Sequence, residues 1–242
     1  MASSSATEGS RWRERVLDRS LQSARAQALS RSNRFLAVAT ELLRETGRTD
    51  FTVQEVVERS NMSLRSFYQH FAGKDDLLLA LFEESIREYI GRLRRQIEQF
   101  SDPMDRLRAY VLGMYETATE VTANDAFPRA LANYHLRLAV HQPPELAAAL
   151  EPQRRLLYEI ICEGVDSGQF RQDVPPEQLC MILLQTLIAA LHMKVLRTHV
   201  TGFEIGPESL WAFCAAGVSP PAPTELLSAA QATLSWIQPS QG

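Results

Sequence analysis

The sequence predicts an all-α protein, and three observations carry that expectation. Leu and Ala are abundant while Gly is held to 11 of 242 residues, a mix that favours helices over sheets. Apolar residues recur at three- and four-residue spacing along most of the chain, the period of one helix face. No stretch alternates β-branched with polar residues, as a half-buried strand would. The expected architecture is an N-terminal three-helix domain joined by a long helix to a larger helical domain.

Taken in order, residues 1–10 are small and polar and read as disordered. Residues 11–30 space Val16, Leu17, Leu21, Ala24, Ala28 and Leu29 at helical intervals with arginines between, which fits either a short helix or a flexible basic arm. From Arg31 the pattern strengthens. Phe35, Leu36, Ala39, Leu42 and Leu43 mark a helix face that ends at Gly47, a natural C-cap. Thr52-Val-Gln-Glu55 is a capping-box sequence, in which hydroxyl and carboxylate satisfy orphan amides reciprocally. It opens a helix over 52–59 with Val53, Val56 and Val57 inward. Asn61 suits a tight left-handed turn, and Ser63 caps a third helix running through Phe71. Gly73-Lys-Asp-Asp starts a fourth, over about 74–98, with its carboxylates at the positive end of the dipole. Further helices are expected at about 104–121, 127–141, 144–167, 175–198 and 224–237, with Pro and Gly at the joints and a short helix around Trp211. The domains are read as a basic extension over 1–30, a compact domain of short helices over 31–76 and a helical body over 77–242.

Composition narrows the class. With 45% hydrophobic and 22% charged residues the chain is globular rather than disordered. The net charge of −4 is unevenly spread. Residues 101–242 carry 9 basic and 15 acidic side chains, while residues 1–34 carry seven arginines against three acids. A basic leading segment on an acidic body fits a polyanion-binding head, or chance clustering. Cys162, Cys180 and Cys214 are far apart and form no CxxC pair, which argues against a disulfide scaffold or zinc ribbon and for a reducing compartment. No secretory h-region is seen at the N-terminus. The most apolar run, Cys180 to Leu196, is broken by Gln185, His192 and Lys194 and falls short of a ~20-residue span. A cytoplasmic protein is expected.

The element pair 52–59 and 63–71 has the lengths of a helix-turn-helix, in which the second helix enters the DNA major groove. By spacing, Met62, Phe67 and Phe71 face inward, and Leu64, Arg65, Ser66 and Gln69 project outward. Arg can grip guanine and Gln adenine, each bidentately, while Leu64 can meet a thymine methyl. Ser63, Tyr68, His70 and Lys74 stand at the edge of that face as phosphate donors. The competing reading is an ordinary helical hairpin with a solvated polar face.

Phe67-Tyr-Gln-His-Phe71, with Lys74 and Leu77-Leu-Leu-Ala-Leu-Phe82 behind it, resembles the DNA-binding domain of tetracycline-repressor (TetR) family regulators. The likeness spans Phe35 to Phe82. It implies a homodimeric regulator, usually a repressor, on a near-palindromic operator and released by a small effector. Carried over by position, Gln54, Leu64, Arg65, Ser66 and Gln69 would face bases, and Thr52, Ser63, Tyr68, His70 and Lys74 would hold phosphates. The family often has Gly at the turn and again at the position of Arg65; this chain has Asn61 and Arg65.

In the body, the helix over 175–198 is apolar almost all round. With the helix over 144–167 it could build a four-helix interface between copies through Leu156, Leu157, Ile160, Leu183, Leu187 and Leu191. Met114, Tyr115, Phe127, Tyr134, Leu138, Met181, Gln185 and His192 are candidates to line a pocket for a small apolar effector; the alternative for each is plain core packing. The histidines lack metal-ligand spacing, so no metal or cofactor is expected. Neither is a membrane partner. No nucleophile elbow or phosphate loop is present. The alternative function is a helical ligand-binding protein or enzyme without DNA-binding activity.

Overall fold

In the computed structural model, residues 5–119, 126–196 and 204–221 are described, and within them every regular element is a helix. The elements are α1 (Ser5–Thr46), α2 (Val53–Ser60), α3 (Leu64–Tyr68), α4 (Lys74–Ile97), α5 (Pro103–Thr119), α6 (Phe127–His141), α7 (Pro143–Asp166), α8 (Pro176–Leu196) and α9 (Pro207–Val218). The expected helix at 224–237 lies outside the described residues.

Two of these elements differ from the lengths that spacing predicts. α1 is one helix of 42 residues, where residues 1–10 read as disordered and 11–30 as either arm or helix. Between Ser10 and Thr46 there is no Gly or Pro, so nothing interrupts propagation once the turn over Phe35 is nucleated by packing. It stops where Gly47 takes φ +67° and donates its N–H to the Leu43 carbonyl at 2.8 Å. In contrast, α3 is five residues rather than nine; after Tyr68 the chain turns through His70 to Phe71, both of which donate to the Phe67 carbonyl.

The chain divides into two compact units. The first holds α1 to α3, α4 as far as Glu84, and the start of α6 as far as Tyr134. Its core is aromatic: the Phe35 ring meets Phe67 edge-on at 5.4 Å and Phe71 at 6.3 Å. Val56, Val57, Leu77, Leu78, Leu81 and Phe82 close around it, all buried. The Tyr134 ring packs on Phe82 at 5.8 Å, and its hydroxyl donates to the Asp75 carbonyl at 3.4 Å. Phe127 lies beneath the Arg44 guanidinium, and Ala126 donates to the Arg44 carbonyl.

The second unit takes α4 from Ser85, α5, α6 from His135, and α7 to α9. Leu93, Ile97, Tyr110 and Val111 pack with Leu156, Ile160, Leu183, Leu187 and Cys214 in one continuous core. Gly164 is required there, since a Cβ would run into the Phe170 ring. Arg94 pairs with Glu159 at 2.9 Å and Arg106 with Glu163. Of the cysteines, Cys162 is half-buried on α7, while Cys180 and Cys214 are buried, their thiols pushed up to about 11 by that burial.

The residues expected at an interface between copies turn inward in the single chain. Leu156, Leu157, Ile160 and Leu187 have no exposure and Leu183 only 3%, so they belong to the protomer's own core; Leu191 is half-buried. An all-round apolar helix gives no periodic hint of which side turns inward. The outward side of α8 holds Met181 at 44% and Ile182 at 59% exposure, and α9 presents Phe213 at 65%.

Candidate nucleic-acid interface

The α2–α3 unit is built from its caps. Thr52 is extended, and its Oγ1 accepts the Glu55 N–H at 3.1 Å. The Glu55 carboxylate accepts in return from the Thr52 N–H at 2.6 Å and from its hydroxyl at 2.9 Å. Those hydrogen bonds hold the Glu55 carboxyl below its ordinary range. At the other end, Asn61 adopts φ 52°, ψ 43° and donates to the Glu58 carbonyl. This left-handed conformation is one that Asn tolerates and β-branched residues do not. Met62 then donates to the Val57 carbonyl, closing the end of α2. Ser63 returns to the extended region and its Oγ accepts the Ser66 N–H at 3.1 Å, starting α3 directly after the turn.

Phe67, with no exposure, fixes the rotation of α3. Residues four apart share a row on a helix, so three rows follow. Phe67 and Phe71 face inward, Ser66 and His70 flank them, and Arg65 and Gln69 lie outermost. The structure accordingly brings together Leu64, Arg65, Tyr68 and Gln69 as exposed side chains on one surface, with Leu64 at 44% and Tyr68 at 56% exposure. Arg65 has no carboxylate partner among the described residues. Ser63 is exposed at the start of the row, and Gln54 is exposed on α2, its amide donating to Glu58 at 2.9 Å. Lys74 stands at the first residue of α4 with its ammonium 5.9 Å from the Phe51 ring centre.

Three expected contacts are not presented. The Ser66 hydroxyl and the His70 Nε2 are covered and have no hydrogen-bond partner among the described residues, because their row flanks the aromatic core. The Ser66 side chain does not point outward as base readout requires, nor does the His70 Nε2 lie open to a phosphate. Thr52 is exposed, but both its N–H and its hydroxyl are already given to Glu55. A phosphate contact there would have to break the cap.

The expected effector residues are divided between the two units. Phe127 and Tyr134 belong to the first unit, packed on Arg44 and Phe82. Met181 and Gln185 are exposed on the outer side of α8. Met114, Tyr115 and Leu138 are buried in the second unit and His192 is half-buried. Around Tyr115 and His192 the structure adds partners that periodicity missed. Lys194 donates to the Tyr115 hydroxyl at 3.0 Å, which itself donates to the Ile205 carbonyl at 2.9 Å. His135 meets His192 edge-on at 4.6 Å. Burial, then the His192 charge, lowers His135 to about 4; burial alone lowers His192. Lys194 gave a signal as the one charged residue in the apolar second half of α8; His135, on a helix with Arg129, Asn133 and Arg137, gave none. Among the described residues, no three His, Cys, Asp or Glu side chains cluster as metal ligands.

Comparison with known proteins agrees with this geometry. Residues 35–81 match the family described as bacterial regulatory proteins, tetR family. The curated repressor KstR2 of Mycobacterium tuberculosis is 21% identical over 195 residues, covering 76% of this chain and 91% of the relative. The fatty acid metabolism regulator of Bacillus subtilis is 23% identical over 134 residues, covering 55% and 68%. Among solved structures, the fatty acid degradation regulator FadR of Bacillus halodurans superposes with a TM-score of 0.62 at 18% identity, covering 77% of this chain and 98% of its own. FadR of Bacillus subtilis in complex with stearoyl-CoA gives 0.62 at 17%, covering 76% and 98%.

Proposed function

We propose that this chain, whose residues 35–81 match the tetR family of bacterial regulatory proteins, is a homodimeric repressor that leaves its operator when a small apolar effector binds. It is a DNA-binding regulator of transcription. The observation that carries the reading is the left-handed Asn61 turn, which sets α3 against α2 so that Leu64, Arg65, Tyr68 and Gln69 share an open surface with no acid among them. Arg65 and Gln69 read base edges, Leu64 meets a methyl group, and Ser63, Tyr68 and Lys74 hold phosphates. Two copies place two such surfaces in successive major grooves about 34–36 Å apart, on a near-palindromic site. The exposed Met181, Ile182 and Phe213 support pairing through the outward sides of α8 and α9, since apolar patches of this kind mark interaction surfaces.

Release follows from two helices that belong to both units. α4 and α6 each start in the first unit and end in the second, so a displacement of either C-terminal half is carried along a hydrogen-bonded helix to the head. An effector that prefers the displaced state weakens DNA binding, and DNA reciprocally weakens the effector, by about 1–3 kcal/mol in typical cases. The stearoyl-CoA complex of the Bacillus subtilis neighbour makes a long acyl chain the first apolar group to test, offered both as the free fatty acid and as its CoA thioester. Lys194 beside Tyr115 offers a cation for the polar end.

Selection of bound fragments by purified protein from genomic DNA tests the reading, with enrichment of a two-fold-symmetric site expected. Arg65→Ala should cost about 1–3 kcal/mol and relax preference at one base pair per half-site. Unchanged preference, or no duplex binding at low salt, refutes it.

A further inference from the structure

The geometry points to the N-terminal half of α1 as a second DNA-binding element, one that grips phosphates flanking the operator half-site without reading sequence. The inference rests on the DNA-binding reading of α3. Every side chain from Arg15 to Arg31 is exposed, including Leu17 at 61% and Leu21 at 64%. Packing among the described residues therefore gives the stretch from Arg15 to Arg31 no role. Its charge is one-sided: seven arginines and three acids over residues 1–34. Arg15, Arg19, Arg25, Arg31 and Arg34 have no carboxylate partner among the described residues, whereas in the head proper Arg59 is held by Glu45 at 2.7 Å and Arg48 by Asp50 at 2.6 Å.

Position supplies the second argument. From Arg15 onward, Phe35 is the first side chain of α1 to be buried, and it packs against Phe67 of α3. The helix thus leaves the head beside the element that enters the groove, and Arg34 and Arg31 lie within about one turn of Phe35. Residues 5–34 extend about 45 Å at 1.5 Å per residue, the length of roughly 13 base pairs at 3.4 Å each. A second copy of the chain is the other possible occupant, through the 17-21-24-28 stripe. It is disfavoured because that stripe has two Leu and two Ala before Arg31 interrupts it, and because two such arginine-rich helices repel each other.

The test compares two duplexes carrying the selected operator, one with about 15 flanking base pairs on each side and one trimmed to the half-sites, so that only the first reaches along the helix. The proteins are the full chain and its Arg15→Gln/Arg19→Gln/Arg25→Gln/Arg31→Gln variant, all four positions exposed. On the long duplex the variant is expected to bind at least tenfold more weakly, and its slope of log K against log salt should flatten by about 0.9 for each phosphate it no longer neutralises. On the trimmed duplex the two proteins should bind alike. Equal affinity and slope on the long duplex overturn the inference while leaving the α3 reading intact; failure of wild type on both duplexes removes the α3 reading itself. Leu17→Ser/Leu21→Ser should leave flank affinity unchanged and the sedimentation coefficient unaltered. A smaller assembly in that variant would assign the helix to copy-to-copy pairing instead.

Discussion

The two units of this chain solve opposite problems, and the contrast explains where each keeps its chemistry. In the first, short helices are locked by caps and a few aromatic rings so that polar side chains can be displayed; α3 commits Phe67 to the core and offers Leu64, Arg65, Tyr68 and Gln69 to solvent. In the second, helices of 17 to 24 residues such as α5, α7 and α8 turn their apolar sides on one another, and the polar groups of interest, Tyr115, Lys194, His135 and His192, are drawn inward. A surface read by a partner is organised by local rules of capping and turn chemistry. An interior is organised by which faces happen to meet.

Substitutions break that comparison at different strengths. The largest effect is expected from Phe67→Ala, which leaves a void among Phe35, Phe71 and Tyr68 and should cost about 3–5 kcal/mol. Denaturant unfolding should show it together with loss of DNA binding. Gly164→Ala strikes the other unit, forcing a methyl group into the Phe170 ring. An overpacking cost of about 1–3 kcal/mol is expected, with the preferred base sequence on selected DNA unchanged; altered preference would mean that the head depends on this interior. Thr52→Ala removes the α2 cap and its exchange with Glu55, for about 1 kcal/mol in thermal unfolding.

The smallest effect is a pH dependence confined to the second unit. His135 is lowered from 6.5 to about 4 by burial and by His192, so the folded protein resists a proton that the unfolded chain accepts. Stability attributable to His135 is therefore full above about pH 6.5, and it falls as the pH drops toward 4. His135→Phe should show a shallower decline in Tm between about pH 7 and 4.5 than wild type. Parallel curves would place the acid sensitivity elsewhere.

Legibility in the sequence followed the same division. Thr52-Val-Gln-Glu55, Asn61, Ser63 and Gly47 act through bonds to residues three to five positions away, so their roles could be read directly, and α2, α4 and α6 begin within a residue of where the spacing put them. What short-range pattern could not give was rotation. A five-residue helix is too short for periodicity to separate the Ser66–His70 row from the Arg65–Gln69 row, and only the Phe35–Phe67 pairing does so. On α8 the pattern was apolar in every direction, so core and surface leucines were indistinguishable until α5 and α7 were in place. The meeting of His135 with His192 joins residues 57 positions apart, beyond the reach of any spacing rule.

The uneven burial of the three cysteines has a practical sequel. With the Cys180 and Cys214 thiols shielded and held near 11, a maleimide dye at neutral pH should react at Cys162, because the thiolate is the reactive form. The unaltered polypeptide would then carry one fluorophore per subunit, and photobleaching steps on immobilised operator fragments would count how many subunits each fragment recruits.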